Sequence, residues 1–270
     1  MSCRIGIECI VDAVPDETTV AGVGTRIQFC VTDWSAWAPG LDSADQWMHW
    51  ARNPFLPHGD SLPSLSHVAP MQRRRIDRLG RAAIQAADGC RRAEDSADPL
   101  VFASRHGDVV RSLALLEALN AGEPMSPTQF GLSVHNAIAA QYSILHGLRG
   151  NYTALAGGTA SVETALVEAA GLLADGAASV TMVYCDATLP PPYTPFRDEC
   201  EALYAFAWRM TDLGHGHGRR MSLAWEAGDD DAPENALLPK ALAAHRYLLL
   251  GESVRRSHAG GLQWWWHQDA

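Results

Sequence analysis

With 270 residues and 29.2 kDa, the chain is long enough to bury a full hydrophobic core, as one large domain or two small ones. Apolar residues make up 47% and charged residues 19%, with 23 Gly and 15 Pro, which excludes disordered and collagen-like classes. The 31 Asp and Glu outweigh the 21 Lys and Arg, for a net charge of -10, so no general field draws nucleic acid or an anionic membrane to the surface.

Six cysteines, Cys3, Cys9, Cys30, Cys90, Cys185 and Cys200, lie at irregular spacing in a chain too large to need disulfide staples, which suits a reducing cytoplasm. Residues 1–10 carry Arg4 and Glu8 and lack the apolar stretch and cleavage site of a secretory signal. The uncharged run between Glu123 and Arg149 is interrupted by Ser126, Gln129, Ser133, His135, Asn136, Gln141, Ser143 and His146. It therefore reads as protein interior and not as a membrane span.

Residues 1–24 read as an N-terminal extension, and residues 25–270 as the folded domain, beginning with a strand over Thr25–Val31. Trp34, Trp37, Trp47 and Trp50 cluster around Pro39-Gly40. Trp47 and Trp50 sit one helical turn apart behind Asp42 or Ser43 as a cap, and core packing is the expected use of the indoles. A Pro-, His- and Ser-rich loop leads to Arg73-Arg74-Arg75, which is either a docking patch or, the simpler reading, a solvated helix start. The helix that follows has Ile76, Leu79, Ala83 and Ala86 on its stripe.

Pro99–Ser104 has the pattern of a buried strand, followed by a turn and a helix with Val109, Leu113, Leu116 and Leu119 inward. A second helix is expected after Pro127, running through Asn136 to Leu145, and then a strand over Asn151–Ala156. Gly157-Gly158-Thr159-Ala160-Ser161 makes a tight turn into a helix with Val162, Ala165, Leu166, Ala169 and Leu173 on one face, ended by Gly176. Ser179–Tyr184 is the next buried strand. Ala202–Met210 is helical or extended, and Arg219–Ala227 is a strand.

Gly214-His215-Gly216-His217-Gly218 reads as a hairpin loop. Two histidines at this spacing can hold a metal, but without further ligands the loop is the simpler reading. Asp229-Asp230-Asp231 reads as a solvated turn. A last helix over Leu237–Leu250 precedes Trp264-Trp265-Trp266, a terminal strand covering the core edge. Strands alternating with helices give an α/β layered class.

The turn at Thr159 feeds a helix N-terminus, where free N–H groups and the helix dipole favour a nucleophile or an anion. By spacing alone, Thr159 or Ser161 is a helix cap, and no P-loop lysine, dinucleotide fingerprint or Gly-x-Ser-x-Gly elbow is present there.

From Ser126 to Cys185 the wording is SPTQFGLSVHN, NAIAAQYSILHGLRG, NYTALAGGTAS, a helix to ADG, then ASVTMVYCD. In this order it resembles the N-terminal half of the β-ketoacyl synthases, the condensing enzymes of fatty acid and polyketide assembly. The matching features are Asn136, Ala139-Ala140, Ser143-Ile144, the turn Gly147–Gly150 and the elbow Gly158-Thr159-Ala160-Ser161. The best match is 126–185, with weaker similarity back through Arg73-Arg74-Arg75 and WAPGLDS and forward to about Glu226.

The resemblance implies a thiolase-like layered fold, mainly its N-terminal half with a truncated C-terminal half. It also places the family's acyl-accepting cysteine at Thr159, whose hydroxyl cannot become a thiolate. The family's two downstream histidines are not matched by His215, His217, His245, His258 or His267. The chain therefore resembles a chain-length factor, the catalytically silent partner of an active ketosynthase in type II polyketide systems, in the short form found with aryl polyene clusters.

The resemblance implies a heterodimer with a ketosynthase subunit, with acyl carrier protein met indirectly, no nucleic acid or membrane partner, and no cofactor or metal. It makes Phe130 an acyl gate, with His135, Ala139 and Tyr142 as tunnel-wall residues at helical spacing, Asn136 on the interface helix and Thr159 at the nucleophile position. Without the resemblance, Phe130 simply fills core. Two alternatives stand beside this: an acyltransferase or hydrolase that acylates Thr159 with His135 or His106 as base, and a ketosynthase-like homodimer with no lipid role.

Overall fold

In a computed structural model, residues 26–92, 97–214, 217–228 and 237–269 are described. The expected extension 1–24, Thr25, His215 and Asp229-Asp230-Asp231 lie outside them. Eight strands form one sheet in the order β3-β2-β4-β5-β1-β6-β8-β7. They are β1 (Arg26–Trp37), β2 (Leu100–Ala103), β3 (Tyr152–Leu155), β4 (Val180–Asp186), β5 (Tyr204–Thr211), β6 (Arg219–Ala227), β7 (Val254–Ala259) and β8 (Leu262–Gln268). β3, β2 and β4 run parallel, and every other neighbouring pair is antiparallel.

The helices are α1 (Ala44–Arg52), α2 (Pro70–Arg73), α3 (Arg78–Cys90), α4 (Val109–Asn120), α5 (Pro127–Ser133), α6 (Ala137–His146), α7 (Ser161–Ala174) and α8 (Lys240–Leu250). Because side chains alternate across a strand, β2 serves two cores. Val101 and Ala103 face one core with α1, α7 and α8, while Leu100 and Phe102 face the other with α3 and α6. The result is a three-layer α/β/α arrangement whose central strands are buried on both sides, as the uninterrupted apolar strands require.

Several sequence expectations meet their elements. Ser43 caps α1 in a capping box with Gln46, and Trp47 and Trp50 are fully buried in an edge-to-face pair with ring centroids 5.0 Å apart. On α7, Val162, Ala165, Leu166, Ala169 and Leu173 are all buried. Ala202–Met210, left between helix and strand, is β5. Arg73 donates to the carbonyls of Ser64 and Leu65, so this member of the basic run ties the preceding loop to the helix start. The four described cysteines, Cys30, Cys90, Cys185 and Cys200, are free thiols.

Four expectations are corrected. β5 and β6 are not a hairpin. They pair with the two halves of β1, so the chain crosses from one side of β1 to the other between them. Gly218 lies at that crossing, and a Cβ there would stand 2.3 Å from the carbonyl oxygen of Val31. The first strand extends to Trp37, because β5 pairs with it over Cys30–Trp37, beyond the Arg26–Val31 stretch that β6 covers, with a register shift between Val31 and Asp33.

The single helix expected from Pro127 to Leu145 is two, α5 and α6, broken where Val134 turns extended and His135 reaches the Ser104 carbonyl. Finally, α4 buries none of its residues. The stripe Val109, Leu113, Leu116 and Leu119 has no counterpart in this chain's own core, and Leu116 and Leu119 are more than half exposed. Among the described residues, no helix is long and apolar enough to cross a membrane.

Candidate functional site

β3 forms one end of the sheet, and among the described residues no strand pairs with its outer edge. The opposite end, β7, carries Arg255, Arg256 and His258, the charged side chains that keep an exposed edge from pairing. β3 reads Tyr152-Thr153-Ala154-Leu155 and carries no charge, so it is an edge left open.

An apolar surface adjoins it. α4 packs on α5, α5 on α6, and α6 on β3. Of the twelve large hydrophobic residues exposed among the described residues, eight lie in this stretch: Val110, Leu116, Leu119, Met125, Phe130, Val134, Ile144 and Tyr152. Scattered apolar exposure is ordinary, but eight such residues on elements that pack on one another beside a sheet edge mark an interaction face.

The patch is held by polar anchors. Asp108 caps α4 through the Arg111 N–H and pairs with the Arg111 guanidinium at 2.7 Å, and that guanidinium also pairs with Asp77 at 3.1 Å and reaches Gln129 of α5. Asp77 caps α3 at the Gly80 N–H. Burial, with Asp108 alongside, pushes the Asp77 carboxyl up to about 7, while its hydrogen bonds to Asp77 and Arg111 hold Asp108 below the ordinary carboxylate range despite its burial.

His135 sits at the α5–α6 break, with Nε2 3.0 Å from the Ser104 carbonyl oxygen. A carbonyl only accepts, so that nitrogen carries the proton. Beneath it, buried Asp186 accepts from the Ser104 and Tyr184 hydroxyls and the Arg105 N–H. Burial raises its carboxyl to about 6 against those bonds. Arg105 in turn pairs with Glu199 and Asp198.

Of these groups, Asp77, Asp108, Arg111, Gln129 and Asp186 border a cleft of about 650 Å³ at the carboxyl ends of β2 and β4. Val109, Val110 and Ala114 of α4 line it together with Leu56, Leu189 and Leu203. The sequence reading missed this cleft, since its walls come from seven separated stretches of chain. The capping positions Asp77 and Asp108 were its only available signal.

At the elbow, β3 leads through Gly157 and Gly158 into a short 3-10 turn, and Gly158 takes φ +58, a backbone that favours glycine. Ser161, not Thr159, stitches the turn: its Oγ accepts from the Gly157 N–H and donates to the Gly158 carbonyl. Thr159 is half-buried, and its hydroxyl accepts from the backbone N–H of Gly260 at 2.9 Å. Gly260 is at the tip of the β7–β8 hairpin, so late chain segments close over the elbow.

The six residues singled out in the sequence therefore separate. Phe130 is 59% exposed and does not fill core, and His135 and Asn136 are also at the surface. Ala139 and Tyr142 are buried in this chain's own core, where Tyr142 packs on Phe102. Helical spacing put His135, Ala139 and Tyr142 on one wall, but His135 precedes α6 and Ala139 and Tyr142 face inward.

The family profile described as "Beta-ketoacyl synthase, N-terminal domain" matches residues 47–267, most of the chain. The chain belongs to that family. No curated protein matches the sequence significantly.

Among solved structures, the β-ketoacyl synthase family member is similar to a chain of the ketosynthase ApeO in complex with its chain length factor ApeC from Xenorhabdus doucetiae. The two are 25% identical with a TM-score of 0.74, over 89% of this chain and 99% of that one. A β-ketoacyl synthase from Burkholderia phymatum is 12% identical with a TM-score of 0.58, over 83% of this chain and 70% of that one, and shares the fold. So does a ketosynthase of the bacillaene synthase from Bacillus subtilis, 11% identical with a TM-score of 0.54, over 76% of this chain and 42% of that one. Within the family's thiolase-like α/β fold, the bare β3 edge and the α4–α6 surface are thus borne on the half that the profile describes.

Proposed function

We propose that the chain is a non-catalytic subunit of chain-length-factor type, which pairs with an active ketosynthase and shapes the tunnel for its acyl chain. The observation that carries this is the elbow. A threonine stands at the position that the resemblance gives to the acyl-accepting cysteine, and its hydroxyl accepts from Gly260 N–H. A hydroxyl with an ordinary, very high pKa needs a base to act as a nucleophile. His135, one candidate base, has its Nε2 proton on the Ser104 carbonyl. The likeness to a chain of the ApeO–ApeC complex, extending over 99% of that chain, supports the same assignment.

The partner surface is then β3 with α4, α5 and α6. Adding a strand across the edge satisfies the unpaired N–H and C=O groups of β3, and covering Phe130, Leu116, Leu119 and Ile144 gains roughly 1.5–3 kcal/mol for each side chain fully buried, before the cost of association. Phe130, on the exposed face of α5, is the gate that limits the acyl chain. His135 and Asn136 hold the rim at the α5–α6 break, Thr159 closes the elbow, and Ala139 and Tyr142 support the wall from behind. Carrier protein delivers substrate to the ketosynthase and meets this chain only indirectly. The complex works in the cytoplasm, a reducing compartment in keeping with the free thiols.

The test is to incubate the purified chain alone with acyl- and malonyl-loaded carrier protein and follow it by mass spectrometry. No condensation and no added acyl mass is the expected result. A covalent acyl group on Thr159 would overturn the assignment in favour of an acyl enzyme.

A further inference from the structure

At the C-terminal ends of α3 and α6, three side chains from separate segments come together. Asp88 comes from the last turn of α3, His146 from the last turn of α6, and His67 from the loop before α2. His67 Nε2 lies 2.9 Å from Asp88 Oδ2, and His146 Nε2 lies 2.8 Å from Asp88 Oδ1. One carboxylate thus offers a different oxygen to each imidazole.

Distance alone would make these ordinary ion pairs, but the directions do not fit hydrogen bonds. Both Asp88 oxygens and His146 Nε2 are buried atoms with no hydrogen-bond partner, despite lying within 3 Å of one another. Buried polar atoms in folded proteins are nearly always satisfied, so three orphans in one spot need a reason. One ligand atom from each of His67, Asp88 and His146 lies within 4.8 Å of the other two, close enough for all three to share one ion.

We infer that His67, Asp88 and His146 form a binding site for a divalent transition-metal ion of the zinc type. Two imidazoles and a carboxylate are a ligand set that suits such an ion, and three protein ligands leave a further position for water. With metal–ligand bonds of about 2.0–2.2 Å, an ion among them would spread the nitrogen–oxygen pairs by only a few tenths of an ångström. The half-exposed His67 gives the ion a route in, and the Tyr142 ring packs against His146, with centroids 4.6 Å apart, and fixes its orientation.

The ion would fasten the end of α6 to α3. Because α6 carries Ile144 and leads through Gly147 into β3, the site would brace the face that the proposed partner covers. No short ligand motif marks the site in the sequence, since its three members are far apart along the chain.

The whole chain, stripped with chelator and dialysed, should be titrated with Zn²⁺ by calorimetry and with Co²⁺ by visible absorption, alongside His67→Ala and Asp88→Asn. The wild type should bind one equivalent, give the absorption of nitrogen- and oxygen-ligated cobalt, and melt at a higher temperature with metal. Both variants should lose this tight equivalent and the melting shift. His67→Ala, altering an exposed loop side chain, keeps the test valid if Asp88→Asn misfolds. No tight equivalent in the wild type, or an equivalent unchanged in His67→Ala, would overturn the inference and leave a simple His–Asp–His ion-pair cluster.

Discussion

The backbone N–H of Gly260 donates to the hydroxyl of Thr159 over 2.9 Å, joining the tip of the β7–β8 hairpin to the elbow ahead of α7. The residue at the nucleophile position thus serves as an acceptor that ties two ends of the domain together. Thr159→Ala should cost about 0.5–1.5 kcal/mol of stability, the usual net value of one hydrogen bond. It should leave association with the ketosynthase and the activity of the pair unchanged. Urea denaturation and a pull-down measure both, and loss of activity in the pair without loss of association would show a chemical role for the hydroxyl.

The α4–α6 face yields a prediction that separates binding from folding. Ile144 is 75% exposed and Leu116 54%, so Ile144→Arg and Leu116→Asp remove little from this chain's own packing. Each should change the stability of the isolated chain by little, within about 0.5 kcal/mol, yet weaken association at least tenfold by burying a charge in the interface. Gel filtration of the variants with the ketosynthase provides the check.

Phe130→Ala should leave the complex intact and lengthen its acyl product, since the volume of one aromatic ring is removed from the proposed gate. Product analysis by mass spectrometry decides it. An unchanged chain-length distribution from an intact complex would remove Phe130 from the gate.

His245 is fully buried among Trp34, Trp47, Phe206 and Trp208, and its Nδ1 accepts from Trp208 Nε1 at 3.1 Å. Burial lowers its pKa to about 3 from an ordinary value near 6.5. Between these values the unfolded chain binds a proton that the folded chain refuses, so stability falls as pH drops from about 6.5 towards 3, by an amount on the order of a few kcal/mol. His245→Phe should be less stable at pH 7 by about 1–3 kcal/mol, because the Trp208 N–H loses its acceptor. It should nonetheless lose less stability between pH 7 and 4.5 than the wild type does. Denaturation curves at both values test this, and equal losses would contradict it.

Asp77 has the opposite sign. Its folded pKa of about 7 exceeds the unfolded 3.8, so the folded chain holds the extra proton and stability falls as pH rises from about 4 to 7. Asp77→Asn, which can still cap the Gly80 N–H, should flatten that slope by an amount on the order of 1 kcal/mol. A slope unchanged in the variant would mean that Asp77 is ionised in the folded protein.

The buried elements were legible in the sequence because their periodicity reports contacts within the chain. The α7 stripe from Val162 to Leu173 and the run Leu100–Ala103 each meet the side they imply. The same logic failed on α4, where an apolar stripe was assigned to the chain's own core although nothing in the described chain covers it. Periodicity shows that a face wants cover, not which molecule supplies it.

β7 was missed because Arg255 and Arg256 give it the composition of a solvated segment, which is what an exposed edge strand needs. The crossing of β1 between β5 and β6 was missed because strands close in sequence usually pair, and nothing local reveals a third strand between them. At the site, the elbow and Thr159 were visible as a turn into a helix. The anchoring set Asp77, Asp108 and Arg111 was not, since it forms only when α3 and α4 come together.

The most direct measurement is the mass of the species formed when this chain is co-expressed with a ketosynthase from its host, by gel filtration with light scattering, for the wild type and for Ile144→Arg. The wild type should run as a one-to-one heterodimer, and the variant should separate into its component chains. A wild-type chain that elutes without the ketosynthase, as a monomer or as a dimer of itself, would contradict the account.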